Sequence, residues 1–430
     1  MSAPAAGIAD HPLRYALANE FHARPFAALA APCNAAILAI KAPANAAARD
    51  PDADRAHLIA LLDRYGATHP APGATHWHGR IGRLDLRWER HTEFATYTLF
   101  GEGAGEPAFS PAIFEVLPGA WLAEAPGVRV ASALVRVEPE PEEGTVAERL
   151  QTWFVAESLA ASRVQGGAAI VASDFRIDAA GHVRFAVLAG EGCGAQRLGR
   201  IVQRLFEIEV YRSMSMLGLA RARALGPDLR RLDEQLNSIM DEMTGGPASP
   251  DTTLHGLLGT SAELEAIGAR TYYRFGATRA YERIVTQRIE VLREQRLVDH
   301  QTVGEFMTRR YDPAMRTVAS VVERLRAMSD RASRASDLLR TRVDVERSAQ
   351  NQELLESMDR RADLQLRLQR TVEGLSVVAI SYYAVNLALY VIAPFTEAAE
   401  LPKAIAAAGV TPLVVIMVWW MVRRIRRSVE

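Results

Sequence analysis

The longest uninterrupted apolar stretches lie near the C-terminus. Residues 374–393 and residues 404–422 contain no charged side chain. A helix of about 20 residues crosses the hydrocarbon core of a bilayer, and each stretch has that length. Pro394–Lys403 separates them and is too short for a folded module. The pattern predicts a transmembrane hairpin, because the alternative, two helices of a soluble core, seldom stays apolar on every face.

Arginines flank this hairpin at both ends. They are Arg370 before the first apolar stretch and Arg423, Arg424, Arg426 and Arg427 after the second. The intervening loop holds Lys403 against two carboxylates, Glu397 and Glu400. Because basic residues remain on the cytoplasmic side, we expect a multi-pass protein of a bacterial inner membrane with both termini in the cytoplasm.

A helical region precedes the hairpin. Glycine and proline are rare from Tyr272 to Arg370, and Pro313 is the one predicted internal breaker. From Ala314 onward apolar residues recur at three- and four-residue spacings, first at Val318, Val322, Leu325, Ala332, Leu339 and Val343, then at Leu355, Met358, Ala362 and Leu366. The pattern predicts a stalk helix, which would extend on the order of 120 Å if it continued to Pro394. A helical bundle and an oligomeric coiled coil both fit the spacing.

The first half of the chain alternates short strand-like runs with glycine and proline. Predicted strands cover Ala35–Ile40, Leu84–Arg90, Phe94–Phe100, Arg129–Val137, Ala168–Ser173 and Val183–Leu188, and a predicted helix covers Gln196–Met243. The fold class is therefore α+β. The predicted segments are an α/β cytoplasmic domain (1–195), a helical region (196–313), a stalk helix (314–371), a first transmembrane helix (372–394), a short outer loop (395–403), a second transmembrane helix (404–422) and a basic cytoplasmic tail (423–430).

Composition narrows the classes of partner. The chain has 430 residues and a formal net charge of -1, so it offers no overall attraction for nucleic acid. Its two cysteines are far apart in sequence, which argues against a disulfide framework and a structural zinc site. The first ten residues lack the pattern of a signal peptide. We expect the lipid bilayer and further copies of the chain as partners, with inorganic cations as the candidate cargo.

The N-terminal region concentrates side chains that bind ions, namely His11, Arg14, Asn19, Glu20, His22 and Arg24. Imidazole and carboxylate suit divalent metals, whereas arginine suits phosphate, so a metal site and an anion site both fit. The alternative, which we favour, is structural: Pro12 would start a helix, and the cluster would support a junction of the fold. His76-Trp77-His78 is a weaker metal signal, and a solvated loop is the favoured interpretation.

Signatures of catalysis are missing from the sequence. Glu191–Gly194 followed by Gln196–Arg200 opens a helix with glycines and arginines, superficially like a phosphate cradle. It has neither the Walker lysine nor a GxGxxG spacing, so a glycine turn that caps the helix is favoured. The sequence also contains no GxSxG and no His-Glu-x-x-His motif. We expect neither an enzyme nor a cofactor.

One polar side chain in the first apolar stretch is costly in a bilayer. Asn386 is expected to bond to a neighbouring helix, and the alternative is that it lines a pore. Glu397 and Glu400 would form an acidic ring at the mouth if several hairpins assembled around an axis. A solvated loop is the favoured interpretation of the two glutamates.

Several motifs resemble those of a bacterial membrane-anchored family, the domain of unknown function 3422. The resemblance rests on His11–Arg14, Asn19–Pro25, Gly199–Leu205, Glu207–Arg212 and Thr371–Ser376. It covers nearly the whole chain and implies class and location, but no activity.

The order of segments also resembles the CorA-type divalent-cation channels, which are homo-oligomers with a central pore. The Gly-Met-Asn signature of those channels is absent, and Ala393-Pro394-Phe395-Thr396 stands in its place. Magnesium selectivity is therefore not implied. We expect an oligomeric inner-membrane protein that conducts or senses ions in a CorA-like manner. The alternative is a membrane-anchored scaffold or interaction protein without transport activity.

Overall fold

The computed structural model describes residues 10–20, 26–43, 49–245, 250–297, 299–398 and 402–429. Its helices are α1 Arg14–Glu20, α2 Pro51–Tyr65, α3 Gly119–Ala123, α4 Glu143–Trp153, α5 Ala195–Gly245, α6 Pro250–Leu292, α7 Val303–Arg310, α8 Asp312–Ala398 and α9 Lys403–Val429. Its strands are β1 Cys33–Lys41, β2 His76–Ile81, β3 Leu84–Arg90, β4 Phe94–Glu102, β5 Val128–Pro139, β6 Ala160–Val164, β7 Ala169–Ser173, β8 Val183–Ala189 and β9 Gln295–Arg296. The predicted α+β class, with strands first and long helices afterwards, is confirmed.

The described residues fall into two compact units. One lies within Met1–Ala248 and His255–Ser336, and the other lies within Ser249–Leu254 and Asp337–Glu430. The first unit contains the sheet, and the second contains the two apolar stretches. Helix α8 contributes residues to both units.

In the described part of the first unit, nine strands form one sheet in the order β2-β3-β4-β1-β5-β8-β7-β6-β9. Strands β5 and β8 pair in parallel and join two antiparallel groups. All six predicted strands are present. The sequence missed β2, β6 and β9, and the loop predicted at His76-Trp77-His78 is wrong because these residues form the start of edge strand β2.

Helices cover both faces of the sheet. Strand β1 shows this directly, because Ile37 points into the apolar cluster that contains α5, whereas Leu38 points into the cluster that contains α2. Successive side chains of a strand alternate between faces, so a strand buried on both sides reads as a nearly continuous apolar run. That pattern identified β1 in the sequence.

The beginning of α5 lies against the chain segment before β1. The backbone N–H of Leu29 donates to the carbonyl oxygen of Ala195 at 3.1 Å. One turn later, Gly199 is buried, and a Cβ at this position would overlap the carbonyl oxygen of Ala27. Glycine is therefore required for this close approach of helix and backbone.

The helical region has a second break that the sequence analysis missed. Helix α6 ends at Leu292, and β9 then pairs with β6 before α7 begins. Thr302 and Glu305 form a capping box at the start of α7. Glu294 accepts hydrogen bonds from the backbone N–H groups of Val303 (2.9 Å) and Gly304 (2.8 Å). Pro313 is thus not the one internal breaker, although it does occupy the first turn of α8, where proline is tolerated.

The predicted stalk has two parts with different surroundings. Val318, Leu325 and Ala332 are buried within the first unit, as in a helical bundle. In the second unit, every side chain from Arg347 to Arg370 is exposed. Helix α8 continues to Ala398 and α9 begins at Lys403, so helix also occupies part of the segment predicted as the outer loop.

Candidate functional site

Two helices of the described chain are long and apolar enough to cross a membrane. They are the C-terminal part of α8 and helix α9, as the apolar stretches predicted. Between Val372 and Arg424, the buried side chains among the described residues are Ser381 and Val418. Most other described apolar side chains of the hairpin are exposed, which suits contact with lipid or with further copies of the chain.

Polar side chains of the hairpin bond to their own helix. The Asn386 Nδ2 donates to the carbonyl oxygen of Tyr382 at 3.1 Å, and the Ser376 Oγ donates to that of Val372 at 2.8 Å. The Asn386 amide reaches the carbonyl one turn earlier on its own helix, and the expected bond to a neighbouring helix stays a prediction. The buried Ser381 Oγ has no hydrogen-bond partner among the described residues.

The basic end of the hairpin combines arginine with tryptophan. The Arg423 guanidinium lies 4.9 Å from the ring centroid of Trp419, and that of Arg424 lies 5.2 Å from Trp420. Tryptophan is typical of the membrane–water interface, and a cation over its ring is stabilised. Arg370 is exposed, and Arg426 and Arg427 belong to the last turns of α9. Glu397 belongs to the last turn of α8, whereas Glu400 lies outside the described residues.

A series of hydrogen bonds and an ion pair connects the sheet with α5 and α6. The Arg87 Nη1 on β3 donates to the Gln203 Oε1 at 2.7 Å, and the Gln203 Nε2 donates to the Glu207 Oε1 at 3.0 Å. The other oxygen of Glu207 forms an ion pair with Arg288. These residues line a cavity of about 250 Å³ between the sheet and α5. Burial lowers the pKa of Arg87, and the carboxylates of Glu89 and Glu207 oppose that change.

A buried ion pair lies directly before the start of β4. The Glu93 side chain is fully buried and pairs with Arg274 of α6. The Tyr281 hydroxyl donates to the Glu93 Oε1 at 3.0 Å. Burial raises the pKa of Tyr281, so its hydroxyl remains a donor at neutral pH. These contacts fix α6 to the sheet, and their role is structural.

A model of a protein family of unknown function, DUF3422, matches residues 9–429, which is nearly the whole chain. The chain belongs to the DUF3422 family. No curated protein and no solved structure matches it.

One motif segment of this DUF3422 protein meets the chain that follows the N-terminal motif. The segment Gly199–Arg212 of α5 faces β3 and β4, and Phe26–Leu29, which follows the N-terminal motif, lies against Gly199. Phe26–Leu29 also lines a second cavity of about 350 Å³, together with His76 and His78. The two histidines pair across the strand with Glu89 and Arg87. The sequence missed the partners of Arg87, because Gln203 is far away along the chain.

The structure describes part of the N-terminal cluster of the DUF3422 protein. The backbone N–H of Leu13 donates to the His11 Nδ1 at 3.2 Å, and Arg14 pairs with Asp10. Asn19 and Glu20 end α1, and His22 and Arg24 lie outside the described residues. No group of three metal-ligating side chains occurs in the described ranges. The contacts of His11 and Arg14 are those of a helix start, and support of a fold junction by the cluster stays a prediction.

Proposed function

We propose that the protein is a homo-oligomer of the bacterial inner membrane, in which the hairpins of several copies surround a pathway for inorganic ions. In this proposal α8 enters the bilayer from the cytoplasm, α9 returns, and both termini are cytoplasmic. The proposal retains the CorA-like arrangement of segments without its selectivity motif.

The observation that carries the proposal is the uncovered apolar surface of the second unit. Leu355, Met358 and Leu366 belong to the predicted seam of α8, and each is more than half exposed, at 64%, 59% and 54%. Such a seam on a helix is buried in oligomers by the same seam of another copy. Copies inserted in one bilayer share their orientation, so equivalent parts of α8 meet at the same height.

Asn386 supports an aqueous pathway. Its side chain is half-buried, whereas the next residue of the predicted span, Leu387, is exposed. Its amide bonds to the carbonyl oxygen of Tyr382 on its own helix. An amide has more hydrogen-bonding capacity than this one bond, so a polar neighbour or water is favoured over lipid.

The flanking arginines support the orientation. Arg370, Arg423 and Arg424 lie at the end of the hairpin that the positive-inside rule assigns to the cytoplasm. The tryptophan–arginine contacts of α9 are typical of that interface.

A membrane tether is the second candidate function. It is favoured by the bond from Asn386 to its own helix, which partly satisfies the amide without any neighbour. A tether requires neither oligomer nor pathway, and the hairpin would then serve only to hold the first unit at the membrane.

The proposal predicts cation flux through liposomes that contain the purified full chain. Asn386→Leu is expected to lower this flux by about tenfold or more, because about 1.4 kcal/mol of lost stabilisation along the pathway changes a rate tenfold. Leu387→Ala is the matched control on the adjacent exposed position, and its flux is expected to stay near that of the wild type. Flux of K⁺, Mg²⁺ and Co²⁺ is measured separately, alongside the mass of the detergent-solubilised particle.

Replacement of residues 372–424 by an unrelated two-helix anchor separates the two candidates. If the hairpin forms an ion pathway, this variant is expected to lose cation flux. If the hairpin is only a tether, the variant is expected to retain the cellular function of the protein. A monomeric particle without flux contradicts the proposal.

A further inference from the structure

Four arginines gather where the first turns of α5 meet the end of α6. Arg200 and Arg204 are four residues apart on α5 and therefore share one face of the helix. One turn further on, Glu207 pairs with Arg288 of α6, which brings the two helices together at this face. Arg293 follows directly after the last residue of α6.

The end of α6 is held in place by the turn between β6 and β7. The backbone N–H of Gln165 donates to the carbonyl oxygen of Leu292 at 2.8 Å. The Gln165 Nε2 donates to the carbonyl oxygen of Val291 at 2.5 Å. These hydrogen bonds hold the end of α6, near Arg288 and Arg293, in place.

One guanidinium group in this cluster lacks a counterpart. The Arg204 Nη1 is buried and makes no hydrogen bond to any described residue. An unsatisfied buried donor destabilises the fold, and more so when it is charged. Burial lowers the pKa of Arg204, and the positive charges of Arg200, Arg288 and Arg293 lower it further.

The local charges do not balance. In the described chain, Glu207 is the carboxylate whose charge favours the protonated form of Arg204. That carboxylate is already bonded to Gln203 and Arg288. At Arg204 the charges of three neighbouring arginines thus outnumber that of one carboxylate, and an additional anion would stabilise this arrangement.

We propose that Arg200, Arg204, Arg288 and Arg293 bind the phosphate groups of an oligoanion. The planar fork of arginine donates two parallel hydrogen bonds to phosphate, and several forks on two helices match a ligand with more than one phosphate group. The loop Glu191–Gly194, which is only superficially like a phosphate cradle, precedes the same helix, and the groups proposed to bind phosphate are the arginines of α5 and not these glycines. Binding at this cluster is independent of ion conduction by the hairpins.

The test uses the full chain in nanodiscs of zwitterionic lipid, titrated calorimetrically with pyrophosphate at low and high salt without divalent cations. Wild type is expected to bind, more weakly at high salt. Arg204→Gln and, separately, Arg200→Gln are each expected to weaken binding about tenfold or more, as loss of one charge-assisted bidentate contact implies. Arg221→Gln is the matched control, because Arg221 is exposed on the same helix. Its binding is expected to equal that of the wild type.

Thermal unfolding separates a binding role from a structural one. Without ligand, Arg204→Gln is expected to be at least as stable as the wild type, because the amide removes repulsion among four cations. Pyrophosphate is expected to raise the unfolding temperature of the wild type but not that of Arg204→Gln.

Nanodiscs with phosphatidic acid distinguish a lipid headgroup from a soluble phosphate. Stabilisation by this lipid alone, lost in Arg204→Gln, assigns the phosphate to a headgroup and supports the cluster. The proposal is overturned if the wild type neither binds pyrophosphate nor is stabilised by phosphatidic acid. It is also overturned if Arg204→Gln binds as tightly as the wild type, or if Arg204→Gln without ligand is less stable than the wild type.

Discussion

Arg274→Met is expected to lower the free energy of unfolding of the first unit by about 3–5 kcal/mol, the cost of leaving one member of a buried ion pair without its partner. Glu93 is fully buried directly before β4, and the Arg274 side chain is the cation that pairs with it. Methionine fills a similar volume, so the loss reports mainly the uncompensated carboxylate. Urea unfolding followed by tryptophan fluorescence measures the change.

Two further variants complete this experiment. Arg279→Met removes an exposed arginine of the same helix and is expected to change stability by less than about 0.5 kcal/mol. The double variant Glu93→Gln with Arg274→Met is expected to recover part of the loss, because a neutral amide can still accept from Tyr281. Equal stability of Arg274→Met and Arg279→Met would show that the pair does not hold α6 to the sheet.

Gly199→Ala is expected to destabilise the first unit by about 3 kcal/mol, at the upper end of the cost of overpacking. The added methyl group would overlap the carbonyl oxygen of Ala27, and backbone atoms cannot rotate away as a side chain does. The hydrogen bond from Leu29 to Ala195 also restrains the segment that would have to move. Thermal and urea unfolding of the full chain measure the effect.

Gly259→Ala is the control with the opposite expected sign. Gly259 lies inside α6, and a Cβ there would meet no atom within 4 Å. Alanine in a helix interior is favoured over glycine by about 1 kcal/mol, so this variant is expected to be more stable than the wild type. If both glycine variants were stabilising, the close approach at Gly199 would be refuted.

The sequence predicted those elements whose burial leaves a strong pattern. Strand β1 is apolar on both faces, and β3 has the predicted limits. Strand β2 was missed because its exposed edge carries His78 and a glycine follows at position 79, a composition typical of loops. Strand β9 has two residues, and its pairing with β6 depends on a contact distant in sequence.

The candidate sites also differ in how far the sequence could predict them. The two long apolar helices could be predicted because their apolar residues run without interruption, so the pattern does not depend on which face meets which neighbour. The contact between Arg87 and Gln203 could not be predicted, because it depends on how α5 lies on the sheet. The unsatisfied guanidinium group of Arg204 likewise results from the meeting of α5 and α6. The spacing of Arg200 and Arg204 on one helix face was visible in the sequence.

Thiol accessibility at position 386 tests the proposed pathway most directly. Asn386→Cys is made in a Cys193→Ser background, and Cys33 remains because burial raises its pKa to about 12, which keeps it unreactive. If Asn386 lines an aqueous pathway, we expect a charged, membrane-impermeant methanethiosulfonate reagent to modify Asn386→Cys in intact membranes. We expect Leu387→Cys, which would face lipid, to stay unmodified. Protection of Asn386→Cys, or equal modification at both positions, would contradict an aqueous pathway between hairpins.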